Sequence, residues 1–420
     1  MPDTDTSLDT LTQQIIARHD RAMSINYARY PVAMMRGEGS MLVDASGKEY
    51  LDLFAGFGAS VLGHCHPDLV AAVNEQAQKL WHVGNLFHTE PQTRAAEAIS
   101  RFGFEGRSFF CHSGADANVG ALKLARLHGQ KNKGKSSGGR YKVISTLGSF
   151  HGRSFGAMEA TGQPKVYEGF GPLGPGHVHV KFNDLSAVES AIDDETIAVL
   201  VEPIQGEGGV NVPDEGYLTG LRTLCDQHDL VLIFDEVWTG VGHTGEYFGH
   251  QHWDVTPDVM TLAKGVGGGL PVGVTHVGPK FADLYDWRTH GHAVHATTLG
   301  GNCLSMAVTA AIFEVLHRDQ LVPRAKILGQ QITDRLNACA KDHPIINNVR
   351  GKGLYLGVEL DPAASDGRFA SGGDVVKACM GRGVLVNAVQ GNVLRIAPAL
   401  NIADDELNRG LDVLVDVLKG

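Results

Sequence analysis

Residues 230–273 read LVLIFDEVWTGVGHTGEYFGHQHWDVTPDVMTLAKGVGGGLPVG, and they set one carboxylate and one lysine each where a buried strand should stop. Residues 230–234 form a continuous apolar run rich in β-formers, which predicts a strand covered on both faces, and Asp235 follows it directly. Residues 257–263 repeat the pattern, and Lys264 follows. In an open parallel sheet ligands gather at the carboxyl ends of strands, so Asp235 and Lys264 are expected to face one pocket. Taken singly, Asp235 would more often be a helix cap and Lys264 a solvated loop lysine. Their shared placement at strand ends favours chemistry.

The chemistry that needs this pair is that of pyridoxal 5′-phosphate. A desolvated lysine condenses with the cofactor's aldehyde as a Schiff base, while a carboxylate holds the pyridine nitrogen protonated and makes the ring an electron sink. Gly265, Gly267, Gly268 and Gly269 would let the backbone pass close beneath such a ring.

The frame around this stretch is that of a soluble enzyme. At 420 residues the chain should split into a large and a small domain. Hydrophobic residues make up 43% and charged residues 20%, and no apolar run is long enough for a membrane span. The start of the chain lacks a basic segment followed by an apolar core, so a cytoplasmic location is expected. A net charge of -11 and the lack of a basic patch argue against a nucleic-acid partner. The 6 cysteines include no CxxC pair and suit reduced thiols. No metal site is expected, because the histidine pairs 64/66, 177/179 and 290/292/295 lack the spacing of a helical zinc motif.

In chain order, Leu8, Leu11, Ile15 and Ile16 predict a short amphipathic helix, and residues 32–53 a β-meander turning at residues 37–39 and 44–47. Residues 55–67, AGFGASVLGHCHP, are too irregular for an element and should line something; a helix follows from Asp68. Residues 109–115 predict a strand entering a small-residue turn, and residues 116–128 a helix. Ser113 and Gly114 at that helix start make a phosphate cup, or, in the blander reading, Ser113 is an ordinary cap. Further strands are predicted at residues 141–145 and 197–201, with a helix face at Tyr217, Leu218, Leu221, Leu224 and Cys225 between the second of these and Asp235. Residues 297–302 form a second small-residue turn before a helix over 304–316. From Pro323 onward short helix and strand pieces predict a smaller domain, in which Arg395 lies inside an apolar strand and must meet an anion or an ion-pair partner.

Two glycine patterns point elsewhere. Residues 129–136, GQKNKGKS, fit the P-loop consensus, and with the VLIFDE strand they define a rival reading as a P-loop ATPase. A P-loop leaves a strand and enters a helix, whereas this one leaves a helix, so a lysine-rich surface loop is expected. Residues 169–174, GFGPLG, satisfy GxGxxG, but Pro172 and Pro175 forbid a helix start there.

Together GHCHP (63–67), FFCHSGADAN (109–118), SFHGR (149–153), EPIQGEGG (202–209), LIFDEVWTG (232–240), TLAKGVGGGLPVG (261–273) and HATTLGGN (295–302) resemble the class III, or ω-, aminotransferases of the fold type I pyridoxal phosphate enzymes. Within that class the chain is most similar to the acetylornithine-type enzymes. The resemblance covers nearly all of residues 31–400. It implies an α/β fold: a large domain over residues 61–315 with a mostly parallel sheet covered by helices, and a smaller α+β domain from residues 1–60 and 316–420. By position, Lys264 would be the Schiff-base lysine and Asp235 the partner of the pyridine nitrogen. Ser113, Gly114 and Ala115 would hold the phosphate, Thr298 would reach it from the neighbouring subunit of a homodimer, and Phe150 would stack on the ring. Arg153 would bind the α-carboxylate of the donor, Arg395 that of 2-oxoglutarate, and Glu207 would pair with Arg395 when an ω-amine is bound.

Departures from the pattern concern substrate choice. Trp238 stands where the family usually has glutamine or a small residue beside the cofactor's phenolic oxygen. Phe57 falls where ornithine-type enzymes carry tyrosine and acetylornithine-type enzymes an aliphatic residue. Val119 and Gly120 replace Glu-Ala after the phosphate cup, and His112 replaces an asparagine. N-acetylornithine is the first expected donor, with ornithine, succinylornithine, a carrier-linked lysine and 4-aminobutyrate as alternatives. Decarboxylation or isomerisation on the same fold is the other alternative chemistry.

Overall fold

A computed structural model of the chain describes residues 10–131 and 138–420. The N-terminal helix is Thr10–Ala22, and Leu8 of the predicted helix lies outside the described residues. The meander follows as β1 (Met34–Glu38), β2 (Met41–Asp44) and β3 (Glu49–Asp52), antiparallel throughout. Its second turn is shaped by Asp44, whose Oδ1 accepts the backbone N–H groups of Ser46 and Lys48, while Gly47 takes the left-handed φ of 87°.

Seven strands form the large sheet: β4 (Arg107–Cys111), β5 (Lys142–Thr146), β6 (His177–Val180), β7 (Thr196–Val201), β8 (Val231–Asp235), β9 (Val259–Leu262) and β10 (Gly273–Val277). Their order is β4-β10-β9-β8-β7-β5-β6, and β10 runs antiparallel to both its neighbours in an otherwise parallel sheet. Every residue of β7, β8 and β9 is buried, as their unbroken apolar runs require. Alternate residues serve opposite faces. Val231 and Ile233 pack with Leu122 and Leu124 of helix Gly114–Lys131, while Leu232 and Phe234 pack with Leu218 and Leu221 of helix Glu215–Gln227.

The C-terminal part adds β11 (Ile346–Lys352), β12 (Tyr355–Leu360), β13 (Val384–Leu385), β14 (Asn387–Val389) and β15 (Val393–Ile396). Four of these make an antiparallel sheet in the order β11-β12-β15-β14. The fifth, β13, pairs in parallel with β3, so the first and last parts of the chain share a sheet. The expected boundary at 315/316 falls in the last turn of helix Cys303–Arg318, and helix Leu321–Ala340 follows two residues later.

The fold departs from the sequence reading at several points. Residues 55–67 are not wholly irregular: Ala55–Gly58 make one helical turn, with Gly56 and Phe57 in left-handed conformations. Helix Glu90–Phe102 and strands β6, β10 and β11 were not expected. The P-loop-like stretch begins inside helix Gly114–Lys131, which outruns its predicted end at His128; residues 132–136 of the stretch lie outside the described residues. GFGPLG is turn and bend, as Pro172 and Pro175 demand. Among the described residues no helix is long and apolar enough to cross a membrane.

Candidate active site

Strands β8 and β9 are adjacent and parallel, with Asp235 opposite Thr261 in register, so Asp235 and Lys264 both emerge at the carboxyl edge of the sheet. Lys264 takes a φ of 47°, unusual for a residue with a Cβ, and opens the short 3-10 turn Lys264–Gly267. Both side chains line one cleft of about 390 Å³, together with Ser113, Gly114, Ala115, Phe150, Arg153 and Trp238.

Asp235 is held from three sides. Its Oδ2 accepts Asn118 Nδ2 at 2.7 Å and pairs with His151 Nδ1 at 2.8 Å, and its Oδ1 accepts the Val237 N–H at 3.0 Å. Asn118 is oriented in turn by Thr261, whose hydroxyl donates to Asn118 Oδ1 at 2.7 Å, and by its own donation to the His151 carbonyl. These contacts fix a buried carboxylate in one orientation.

Lys264 is mostly buried, and burial, reinforced by the nearby positive charge of Arg395, pushes its pKa down to about 7; Glu207, Asp235 and Glu202 offset part of this. A substantial fraction of the amine is therefore neutral and nucleophilic near pH 7. Glu202, just past β7, accepts the Phe150 N–H at 2.9 Å and the Gly206 N–H at 2.8 Å, and burial pushes its pKa up to about 7.

The wall that would face a phosphate is the start of helix Gly114–Lys131, whose first N–H groups lack intrahelical acceptors. Ser113 Oγ accepts the Asp116 N–H at 3.2 Å, so the capping role is present, and its own hydroxyl proton is still able to donate. The fit around the helix start is close. A Cβ on Gly114 would come within 2.9 Å of Val237, and one on Gly152 within 2.5 Å of Ala115.

Arg395 is fully buried in β15, opposite Gly357 of β12 and Asn387 of β14. Its Nη1 donates to Glu207 Oε1 at 2.6 Å and its Nη2 to Asn387 Oδ1 at 2.9 Å. Burial opposes a charge on Glu207, but the Arg395 charge and hydrogen bond hold its pKa below the usual carboxylate value. Arg153 is exposed, with its guanidinium 5.5 Å from the Phe150 ring. Phe57 is exposed and packs edge-on against Phe54 at 4.7 Å.

The fold thus brings Ser113, Gly114, Ala115, Phe150, Arg153, Asp235, Trp238 and Lys264 to one cleft, with the Glu207–Arg395 pair behind Trp238. Thr298 is exposed and stands outside that lining, although its neighbour Thr297 contacts His112 at the cleft by a 3.2 Å hydrogen bond. Sequence reasoning missed Asn118, His151, Thr261 and Asn387. Asn118, His151 and Thr261 lie inside motifs already singled out; for Asn118 a polar side chain within the apolar face of helix Gly114–Lys131 was the available signal, whereas His151 lies in the loop before helix Phe155–Ala160.

The profile of the family "Aminotransferase class-III" matches residues 22–418. An acetylornithine aminotransferase of Caldanaerobacter subterraneus subsp. tengcongensis is 41% identical over 392 residues, covering 93% of this chain and 96% of that protein. The ornithine aminotransferase of Toxoplasma gondii, solved with partial occupancy of PLP at its active site, superposes with a TM-score of 0.89 at 32% identity, covering 97% of this chain and 94% of that one. The N-acetylornithine aminotransferase of Stenotrophomonas maltophilia K279a superposes with a TM-score of 0.80 at 33% identity, covering 96% and 98% of the two chains.

Proposed function

Because the chain belongs to the class-III aminotransferases, we propose that it moves the terminal amino group of N-acetylornithine to 2-oxoglutarate, with pyridoxal 5′-phosphate held in the cleft between Asp235 and Lys264. The observation that carries the reading is the placement of an amine with its pKa near 7 and a triply held carboxylate at the ends of adjacent strands. Two of the three relatives named above, the acetylornithine aminotransferases, favour the donor.

When bound, the cofactor supplies an aldehyde for the amine and a ring that delocalises the electrons of a broken C–H bond. Asp235 provides a fixed negative charge for a protonated ring nitrogen, with Asn118 and His151 keeping its carboxylate from turning. Lys264, neutral in part near pH 7, would hold the aldehyde and could take and return the substrate's proton at Nζ. Ser113, Gly114 and Ala115 would receive the phosphate, and Phe150 would offer its face to the ring. Arg153 binds the donor's α-carboxylate, and Arg395 binds that of 2-oxoglutarate once Glu207 moves aside. The assembly is a homodimer in which Thr298, exposed here, completes the phosphate site of the second copy.

The test adds each amine singly to the cofactor-loaded enzyme without acceptor and follows the fading of the visible band. N-acetylornithine should react fastest among ornithine, succinylornithine, 4-aminobutyrate and a carrier-linked lysine. A faster reaction with any of these transfers the assignment to that amine, and a protein that takes up no chromophore defeats the cofactor assignment.

A further inference from the structure

Trp238 lies against both cations of the site, with Lys264 Nζ 4.1 Å and Arg395 Cζ 4.4 Å from its ring. The ring has no room to turn. A Cβ on Gly58 would stand 2.5 Å from indole Cζ3 and one on Gly206 2.8 Å from Cδ1, so two glycines from separate parts of the chain, one ending a helical turn and one in a turn, form its slot. Tyr355 stacks on it at 5.0 Å with planes 13° apart. Phe54 and Phe57 approach the same guanidinium at 5.1 and 5.9 Å, and no part of Arg395 is exposed. Trp238 lines the Lys264 cleft, and Arg395, which it touches, is not part of that lining.

We propose that Trp238 is a specificity-determining residue: a fixed wall between the Lys264 cleft and the buried Arg395 that holds the guanidinium closed to carboxylates and biases the site toward ω-amines. The proposal rests on the reading of Arg395 as the carboxylate site. Two properties of the indole produce the bias. Its face attracts a desolvated guanidinium strongly enough to shift an equilibrium by about thirtyfold. Its bulk, held between Gly58 and Gly206 under Tyr355, stands between the lining of the cleft and a guanidinium that the lining does not include. A carboxylate must therefore reach Arg395 from the side of Glu207, whose side chain is 29% exposed, and must displace both that ion pair and the aromatic packing.

The experiment measures binding of glutarate, a dicarboxylate without a reacting carbonyl, to the cofactor-loaded enzyme by calorimetry, beside single-turnover rates with glutamate and with N-acetylornithine. Trp238→Gln should bind glutarate at least about tenfold more tightly and move the preference toward glutamate by a similar factor. Trp238→Phe, which keeps a π face, should stay near the parent on both readouts. Trp238→Leu, apolar but without a π face, repeats the test if the slot rejects glutamine. Unchanged or weaker glutarate binding in the Gln and Leu variants would overturn the proposal, as would a shift in Trp238→Phe as large as theirs. Glutarate binding does not depend on the donor, so a wrong donor leaves this result standing. Glutarate affinity that survives Arg395→Ala would show that Arg395 is not the carboxylate site, and the wall would then have nothing to guard.

Discussion

Truncating Glu207 to alanine separates the two kinds of substrate the site must accept. Arg395 meets Glu207 Oε1 at 2.6 Å and Asn387 Oδ1 at 2.9 Å, and aromatic faces surround the rest of it. In Glu207→Ala a fully buried guanidinium loses its carboxylate, a change that costs about 3–5 kcal/mol. Because the Glu207 side chain is 29% exposed, water can enter its place, and the lower end, about 3 kcal/mol, applies. A carboxylate from solution can restore the lost contact. Hydrogen bonds to a charged group contribute about 1.5–3 kcal/mol, which corresponds to about 10–150-fold in affinity or rate. Glu207→Ala should melt at a lower temperature than the parent, be rescued more strongly by glutarate, and prefer glutamate over N-acetylornithine by that factor more in single-turnover assays. Arg395→Ala should slow the 2-oxoglutarate half-reaction by the same range while slowing the amine half-reaction less. Equal slowing of both halves in Arg395→Ala, or an unchanged preference in Glu207→Ala, would make the pair a structural ion pair and refute the switch.

Asp235→Asn should retain the visible band of bound cofactor yet lose about 10²–10³ in single-turnover rate, since an amide cannot hold a ring nitrogen protonated; near-parent kinetics would count against the role. In the cofactor-free protein, Lys264 is a destabilising buried base. Its folded pKa of about 7 lies below the ordinary 10.5, so the unfolded chain binds more protons between those values and stability rises with pH there. Lys264→Met should therefore melt above the cofactor-free parent at pH 7, with the gap closing toward pH 10; a gap that does not change with pH would show that the amine is not depressed. Gly206→Ala would drive a Cβ to 2.5 Å from the Tyr355 hydroxyl and should cost about 1–3 kcal/mol in denaturant unfolding, and an unchanged midpoint would show that the Trp238 slot can yield.

Much of this site was legible before any fold was known. β7, β8 and β9 are apolar on both faces because helices cover both sides of the sheet, so their ends, and with them Asp235 and Lys264, could be placed from local pattern alone. The helix face at Tyr217, Leu218, Leu221, Leu224 and Cys225 is buried at all five positions for the same reason. Strand β10 escaped notice because Gly273–Val277 is short, follows a glycine run and contains His276, which the tertiary structure satisfies with Ser108 and the Phe104 carbonyl. Helix Glu90–Phe102 was overlooked although Ala95, Ala98, Ile99 and Phe102 fall at helical spacing and Pro91 suits its first turn.

By itself the sequence determined the parallel core, the small-residue turn at the start of helix Gly114–Lys131, the strand-end lysine and carboxylate, and through its motifs the class-III aminotransferase family. These are properties of short segments, set by apolar periodicity, glycine placement and the geometry at the end of a strand. Only the tertiary structure decided what each side chain meets. It set Asn118 and His151 on Asp235, closed Glu207 on Arg395, slotted Trp238 between Gly58 and Gly206, and left Thr298 outside the cleft of its own chain. Those contacts join residues from separate strands and loops. Each exists only once the register of β8 on β9 and of β15 on β12 is set, and that register joins segments far apart in the chain.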